Sequence, residues 1–324
     1  MKARLMVFFI ILLLGITPAL AHEIHDASAR GDISGIREII DRDPSLLNLA
    51  DEKGATPLMR SLQEKKGDTA MFLISRGADI NKADNGGDTP LHAASAHGLD
   101  EVAEVLIKKG APVDSVNALG WTPLFWAGIY GHENVAELLT DKGAKIDHRG
   151  KKGLTPLYLT LTEGIYIGLK DQRADQVISV ARLLIDKGAD VNVLDRRDNS
   201  LLHWGAKFGR MEIVRLLIEN DIKINQKDDN GLTPLHRALL GRKEQVVNYL
   251  VGKGANVNAR DNFGATPLHI AAANGDISVV TLLLDKGADP NVKNDVGHTP
   301  HYIAVTNGYP DMAELLSNRG AKQQ

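Results

Sequence analysis

The chain contains no cysteine. That excludes disulfide bonds, thiol catalysis, thiolate metal sites and lipid attachment through a cysteine. Aromatic residues are scarce, at three Trp, six Tyr and six Phe among 324 residues. A core built on large rings is therefore excluded, and the 31 glycines point instead to many short helices joined by tight turns. There is no N-x-S/T sequon with x other than Pro, which suits a bacterial periplasm better than a eukaryotic secretory route. No G-x-S-x-G elbow, phosphate-binding glycine loop or H-E-x-x-H pair is present, and HEIH at 22–25 is one residue too short for the last. No apolar run reaches the ~18 residues that span a bilayer.

The longest such run, Leu5–Ile16, follows Lys2 and Arg4 and precedes Ala19-Leu20-Ala21. A basic start, a short apolar stretch and a small-x-small site predict a secretory signal peptide over residues 1–21, cleaved before His22. The product is expected in the periplasm, or outside the cell. Loss of Lys2 and Arg4 from 38 basic residues leaves 36 against 41 acidic ones, a net charge of about −5. That balance argues against nucleic acid or anionic lipid as a partner.

What is present is a repeat. Thr-Pro recurs at 56–57, 89–90, 122–123, 155–156, 233–234, 266–267 and 299–300, spaced by 33 residues except across one gap of 78. A degenerate copy, Ser200-Leu201-Leu202-His203, divides that gap. In the copy GDTPLHAASAHGLDEVAEVLIKKGAPV (87–113), Thr89 stands where an N-cap belongs and Pro90 takes the first helical position, where its missing N–H is harmless. Gly98 suits a left-handed cap, Val102, Val105 and Leu106 recur at helical spacing, and Gly110 closes a second helix. Each unit thus reads helix, turn, helix, turn.

The segments TPLHAA at 89–94, TPLHRA at 233–238 and TPLHIA at 266–271, with GADIN, GADVN, GANVN and GADPN between copies, resemble the ankyrin repeat. The resemblance implies an all-α solenoid of stacked helix-turn-helix units with projecting β-hairpin loops. It covers residues 22–324 as about nine units: an N-terminal cap (22–55), 56–88, 89–121, 122–154, 155–199, 200–232, 233–265, 266–298 and a C-terminal cap (299–324). It also implies a non-catalytic scaffold that binds another protein through the concave groove and hairpin tips, as a monomer, with no cofactor and no catalytic residue. A secreted effector or enzyme inhibitor is the alternative, and a small-ligand or metal carrier is a third reading.

Two copies depart from the pattern. Asp198 and Leu201 replace the turn Gly and the Pro, which predicts a looser hairpin at 195–199. About 12 extra residues near 165–176 (IYIGLKDQRADQ) predict either longer helices or a protruding lobe.

Trp121, Phe125, Trp126 and Tyr130 cluster in NALGWTPLFWAGIYGH (117–132). The register assigns Leu124, Phe125 and Trp126 to the core. The resemblance implies that Trp121, Ile129 and Tyr130 face the groove and tips, as a hot spot for a partner. Asp88 and His97 occupy matching places on one side, and Leu154 and Glu163 on the other. Arg196, Arg197, Lys207 and Phe208 supply a basic flank. The competing reading has Trp121 and Tyr130 packed only on each other.

Histidine is plentiful, at eleven residues, but the ladder His92, His203, His236 and His269 carries no metal site. Stacked helices lie ~8–10 Å apart, whereas two rings sharing zinc need nitrogens ~2.0–2.1 Å from it. The ladder resembles the family's structural histidine, bonded to a turn. His22 and His25 lack a third metal ligand. Ala83 breaks the calcium-loop pattern in DINKADNGGD (79–88), which reads as an Asx-type turn.

Overall fold

The computed structural model describes residues 18–170 and 173–322. Residues 1–17, most of the expected signal peptide, and residues 171–172 of the expected insertion lie outside the described residues. The chain divides between Ala189 and Asp190 into two compact units.

The first unit stacks five helix pairs. They are Pro18–Arg30 with Ile33–Arg42, Pro57–Gln63 with Gly67–Ser75, Pro90–His97 with Asp100–Lys108, Pro123–Tyr130 with Glu133–Asp141, and a longer pair ending in Ala174–Asp186. The second unit stacks four: Leu201–Phe208 with Met211–Glu219, Pro234–Leu240 with Glu244–Gly252, Pro267–Asn274 with Ile277–Asp285, and Pro300–Thr306 with Pro310–Asn318. Within each unit, first helices pack on first helices and second on second.

The starts of the first helices follow from local chemistry. Thr56, Thr89, Thr122, Thr155, Thr233, Thr266 and Thr299 are extended N-caps, each followed by Pro in the first turn. In four copies the histidine three residues on completes a reciprocal cap: the Thr89, Ser200, Thr233 and Thr266 backbone N–H groups donate to Nδ1 of His92, His203, His236 and His269 at 3.1 Å. The signature Leu of each copy (Leu58, Leu91, Leu124, Leu157, Leu202, Leu235, Leu268) is wholly buried. Each such burial contributes roughly 2 kcal/mol. Small residues set the close approach between helices, most clearly at Gly128, where an added Cβ would lie 2.2 Å from Thr160 Oγ1.

The tips are narrower than the expected β-hairpins. Each is a turn closed by two backbone bonds, with an Asp or Asn at its start except at Gly150; Asp84 Oδ1, for example, accepts from the N–H of Gly86 and Asp88, Asp84 N–H donates to Asp88 O, and Gly87 N–H donates to Asp84 O. Among the described residues the only strand-like pairing is an isolated antiparallel bridge between Leu194 and Ser200. That bridge lies in the very hairpin expected to be loose. Asp198 adopts φ +57° there and its N–H donates to Asp195 O at 3.0 Å, the same bond Gly87 makes to Asp84. Asp tolerates the left-handed conformation better than most side chains, so the turn keeps its shape without Gly.

Successive tips are joined by main-chain bonds. Asn85, Ala118 and Lys151 donate to the carbonyls of Lys53, Gly86 and Leu119 in the first unit; Asp229, Asn262 and Asp295 donate to those of Arg197, Asn230 and Phe263 in the second.

The extra residues of the fifth copy lengthen its helices and make no separate lobe from the part described. The first helix runs as Pro156–Leu159, a π-helical turn over Thr160–Gly164, and Ile165–Lys170; the second has 13 residues where its neighbours have 9. Thr160 and Thr162 hydroxyls donate to the Pro156 and Tyr158 carbonyls at 2.8 Å, supporting the widened turn. At the N-terminus, Ile24 and His25 fill the slots of the signature Leu and His although Thr-Pro is missing. The buried His25 ring sets Nε2 3.0 Å from Leu49 O and 3.1 Å from Ala55 O, so that nitrogen faces main-chain carbonyls.

Candidate partner-binding cleft

The fifth signature position, after Thr-Pro-Leu-His, is where sequence reasoning went wrong. Trp126 is not core: it is half-buried at the surface of its unit. The same slot in other copies holds Arg60 and Arg237, whose guanidinium groups pair with Asp51 and Asp228 of their own tips. Charged residues in that slot were the available signal that it faces water. Trp126 satisfies its indole in the same manner, donating from Nε1 to Asp88 Oδ1 at 3.0 Å, an oxygen that also accepts from Asn117 Nδ2 at 2.8 Å.

Around Trp126 the other rings are fixed by neighbours. Trp121 N–H donates to Asn117 Oδ1 at 3.0 Å, and its carbonyl lies 3.0 Å from His92 Nε2, which anchors the backbone on both sides. Its ring stacks on buried Phe125 at 5.7 Å and meets Trp126 edge-on at 5.0 Å. The indole also covers Gly150, where an added Cβ would lie 2.9 Å from Cδ1. Tyr130 stacks on the opposite side of Trp126 at 5.9 Å, with the Arg173 guanidinium 5.8 Å from the tyrosine centroid. Trp121 and Tyr130 are therefore linked through Trp126. Each such ring pair is worth roughly 1 kcal/mol beyond its buried area, enough to hold the cluster in one arrangement.

This cluster lines a cleft of 390 Å³ whose wall also includes Leu119, Leu154, Lys152, Glu163 and Ile167. Trp126 and Tyr130 continue into a smaller hollow of 180 Å³ with Asp84, Asp88 and His97. Of the residues expected at a docking surface, Trp121, Tyr130, Leu154 and Glu163 line the cleft, and Asp88 and His97 line the hollow. Ile129 requires a correction. It lies on the cleft floor but is buried, packed with Phe125 and Leu159. At the equivalent position one copy into the second unit Leu240 is 54% exposed; Ile129 is covered because the lengthened helix of the next copy overruns it, bringing Gly164 against the Ile129 carbonyl. Leu119, Lys152, Leu159 and Ile167 were not singled out from the sequence. Ile167 lies in the insertion, whose course no repeat pattern specifies.

Arg196, Arg197, Lys207 and Phe208 belong to the second unit and are all exposed. Phe208 stacks on Trp204 at 5.6 Å, and the Lys207 ammonium lies 5.3 Å from the Phe208 centroid. This is a second, shallower aromatic-basic patch.

Burial is the largest influence on the titration of three histidines beside the cleft and hollow. His92, His97 and His132 are pushed below the ordinary imidazole value, opposed at His92 by the bond to the Trp121 carbonyl and by Asp88 and Asp84, and reinforced at His97 by Lys65. These rings are uncharged near neutral pH, so the charge at the cleft comes from Lys, Arg, Asp and Glu. Among the described residues no group of His, Asp and Glu is arranged to hold a metal ion, and no helix is long and apolar enough to cross a membrane.

The family model described as "Ankyrin repeats (3 copies)" matches residues 24–117, 85–150, 173–261 and 244–324. The stretch between the second and third matches, 151–172, holds the lengthened first helix and the far side of the cleft.

Proposed function

The chain belongs to the ankyrin-repeat family, whose repeats are protein–protein interaction scaffolds and typically non-catalytic, and from that premise we propose that it binds a protein partner through the Trp121–Trp126–Tyr130 cleft. One observation carries this reading. Three half-buried rings, each held by its own hydrogen bond or stack, line a 390 Å³ concavity. Rings already fixed lose little entropy when covered, and large aromatics over a preformed pocket are the usual centre of a protein interface.

The same proposal places the protein outside the cytoplasm as a monomer with no reaction of its own. Support for export is the Lys2–Ala21 pattern. Amino-terminal sequencing of the protein recovered from its native cell tests it; the expected first residue is His22, and a chain still carrying Lys2 and Arg4 would refute it.

A photo-crosslinking residue at Leu119, on the cleft wall, should trap a protein partner in the cell envelope. The same residue at Lys108, on the second helix of its repeat, should not. A Trp126→Ala, Tyr130→Ala double variant should lose about 2 kcal/mol or more of binding, roughly thirtyfold, with helical circular dichroism unchanged. Equal trapping from Leu119 and Lys108 would sink the reading.

A further inference from the structure

The charge around the cleft narrows what can occupy it. Gly150 and Lys152 of the tip 149–152 form part of its wall, and Arg149 and Lys151 are exposed beside them on the same tip. The tip thus carries three cations within four residues on a chain that is net negative. Arg149 Nη1 donates to the Gly153 carbonyl, which holds its side chain along the tip. The tip is unlike its neighbours for a local reason. The side chain that closes the other tips of this unit, Asp51, Asp84 and Asn117, is missing here because the position is Gly150. Gly150 is also the residue on which the Trp121 indole rests. One sequence choice therefore leaves this turn without a side-chain cap and opens the seat for an aromatic wall.

The acids of this face are differently disposed. Asp84 is committed to its own backbone N–H groups, and Asp88 Oδ1 to Trp126 Nε1 and Asn117 Nδ2. Both line the smaller hollow on the far side of Trp126. Glu163 alone adds an exposed carboxylate to the large cleft, on the helix wall. The cleft thus has an apolar interior, a cationic tip on one side and one anion on the other.

We propose that the occupant is an acidic peptide segment of a partner protein, with one apolar side chain seated among Trp121, Trp126 and Leu154 and its carboxylates laid along Arg149, Lys151 and Lys152. The volume suits a leucine- or phenylalanine-sized anchor with part of its backbone. Exposed cations at the rim steer an acidic segment inward and discriminate against basic ones more than they deepen affinity. Glu163 fixes the direction, since the acidic end must lie on the tip side. The inference rests on the cleft being the docking face.

The test uses the full-length mature protein and short fluorescein-labelled peptides that share a central Leu and differ only in flanks of Asp, Asn or Lys. Fluorescence anisotropy should show the Asp peptide binding at least about tenfold more tightly than the Asn peptide, and the Lys peptide more weakly than either. The preference should shrink as ionic strength rises from about 0.05 to about 0.5 M. The triple change Arg149→Glu, Lys151→Glu, Lys152→Glu should reverse the order of Asp and Lys peptides. The control Lys109→Glu, Lys142→Glu, Arg182→Glu, on exposed sites at the ends or on the surface of second helices, alters net charge equally and should leave the order intact. Equal binding of all three peptides, or reversal by the control as well, overturns the inference. Partner trapping from Leu119 reports separately on the docking face: trapping without an Asp preference removes the acidic occupant and leaves the docking reading, whereas loss of trapping removes both.

Discussion

His236 offers the sharpest test of how the repeats are held. Its ring is completely buried and its Nδ1 accepts from Thr233 N–H at 3.1 Å, like the other ladder histidines. On the other nitrogen it differs. Nε2 of His92, His203 and His269 lies 3.0–3.1 Å from the carbonyls of Trp121, Leu232 and His298, whereas Nε2 of His236 has no partner in hydrogen-bonding geometry. Burial lowers its pKa to about 4, against an ordinary 6.5, opposed weakly by Asp261 and by the nearby Ala265 and Ala259 carbonyls. A lowered value means that the folded state favours the neutral ring. The contribution is whole above 6.5 and is lost as pH falls through the interval down to about 4. Linkage sets the loss at about 2 kcal/mol near pH 5 and about 3 kcal/mol once pH lies below both values. Because stacked repeats open piecewise, the assay is native-state hydrogen exchange of the helix Pro234–Leu240, comparing the natural protein with His236→Asn. The substituted amide still accepts from Thr233 N–H and does not titrate. Between neutrality and about pH 5, the opening constant of that helix should rise about thirtyfold more in the natural protein than in the variant. Parallel pH profiles would refute the reasoning.

Three further outcomes follow from close contacts. Gly128→Ala drives a Cβ into Thr160 Oγ1, 2.2 Å away in a buried interface, and should destabilise the first unit by about 2 kcal/mol, read as a lower urea midpoint. Gly150→Ala meets Trp121 Cδ1 at 2.9 Å; it should red-shift tryptophan emission and weaken partner trapping while leaving helical content unchanged. Asp198→Gly relieves a left-handed residue at φ +57° and should raise the melting temperature of the second unit slightly, for a gain of about 0.5–1 kcal/mol.

The helices were legible because their stop and start chemistry is local. Thr-Pro sets the first turn, and Gly98, Gly131, Gly209 and Gly275 end first helices in the left-handed conformation. Trp121 and Tyr130, expected at the surface from the register and the family resemblance together, line the cleft. Trp126 was misread because Ala93 and Ile270 in its slot suggest a core face, while Arg60 and Arg237 in the same slot show otherwise. Ile129 was beyond sequence reasoning, since its cover comes from a helix lengthened by the following copy. The basic tip was visible as residues but not as a rim, because Gly150 has meaning only once the Trp121 ring is seen lying on it.

A main-chain rung recurs between successive tips, such as Lys151 N–H to Leu119 O and Asn262 N–H to Asn230 O. Side chains such as Asn85 and Asn262 add a bond beside it, to the Glu52 and Asp229 carbonyls, but the main-chain rung itself needs no particular side chain. The lettering of a tip can therefore be rewritten while its scaffolding stands, and the row behaves as a set of interchangeable cartridges. Transplanting the segment 149–152 onto another tip would carry its charge to a new address without asking the helices beneath to move.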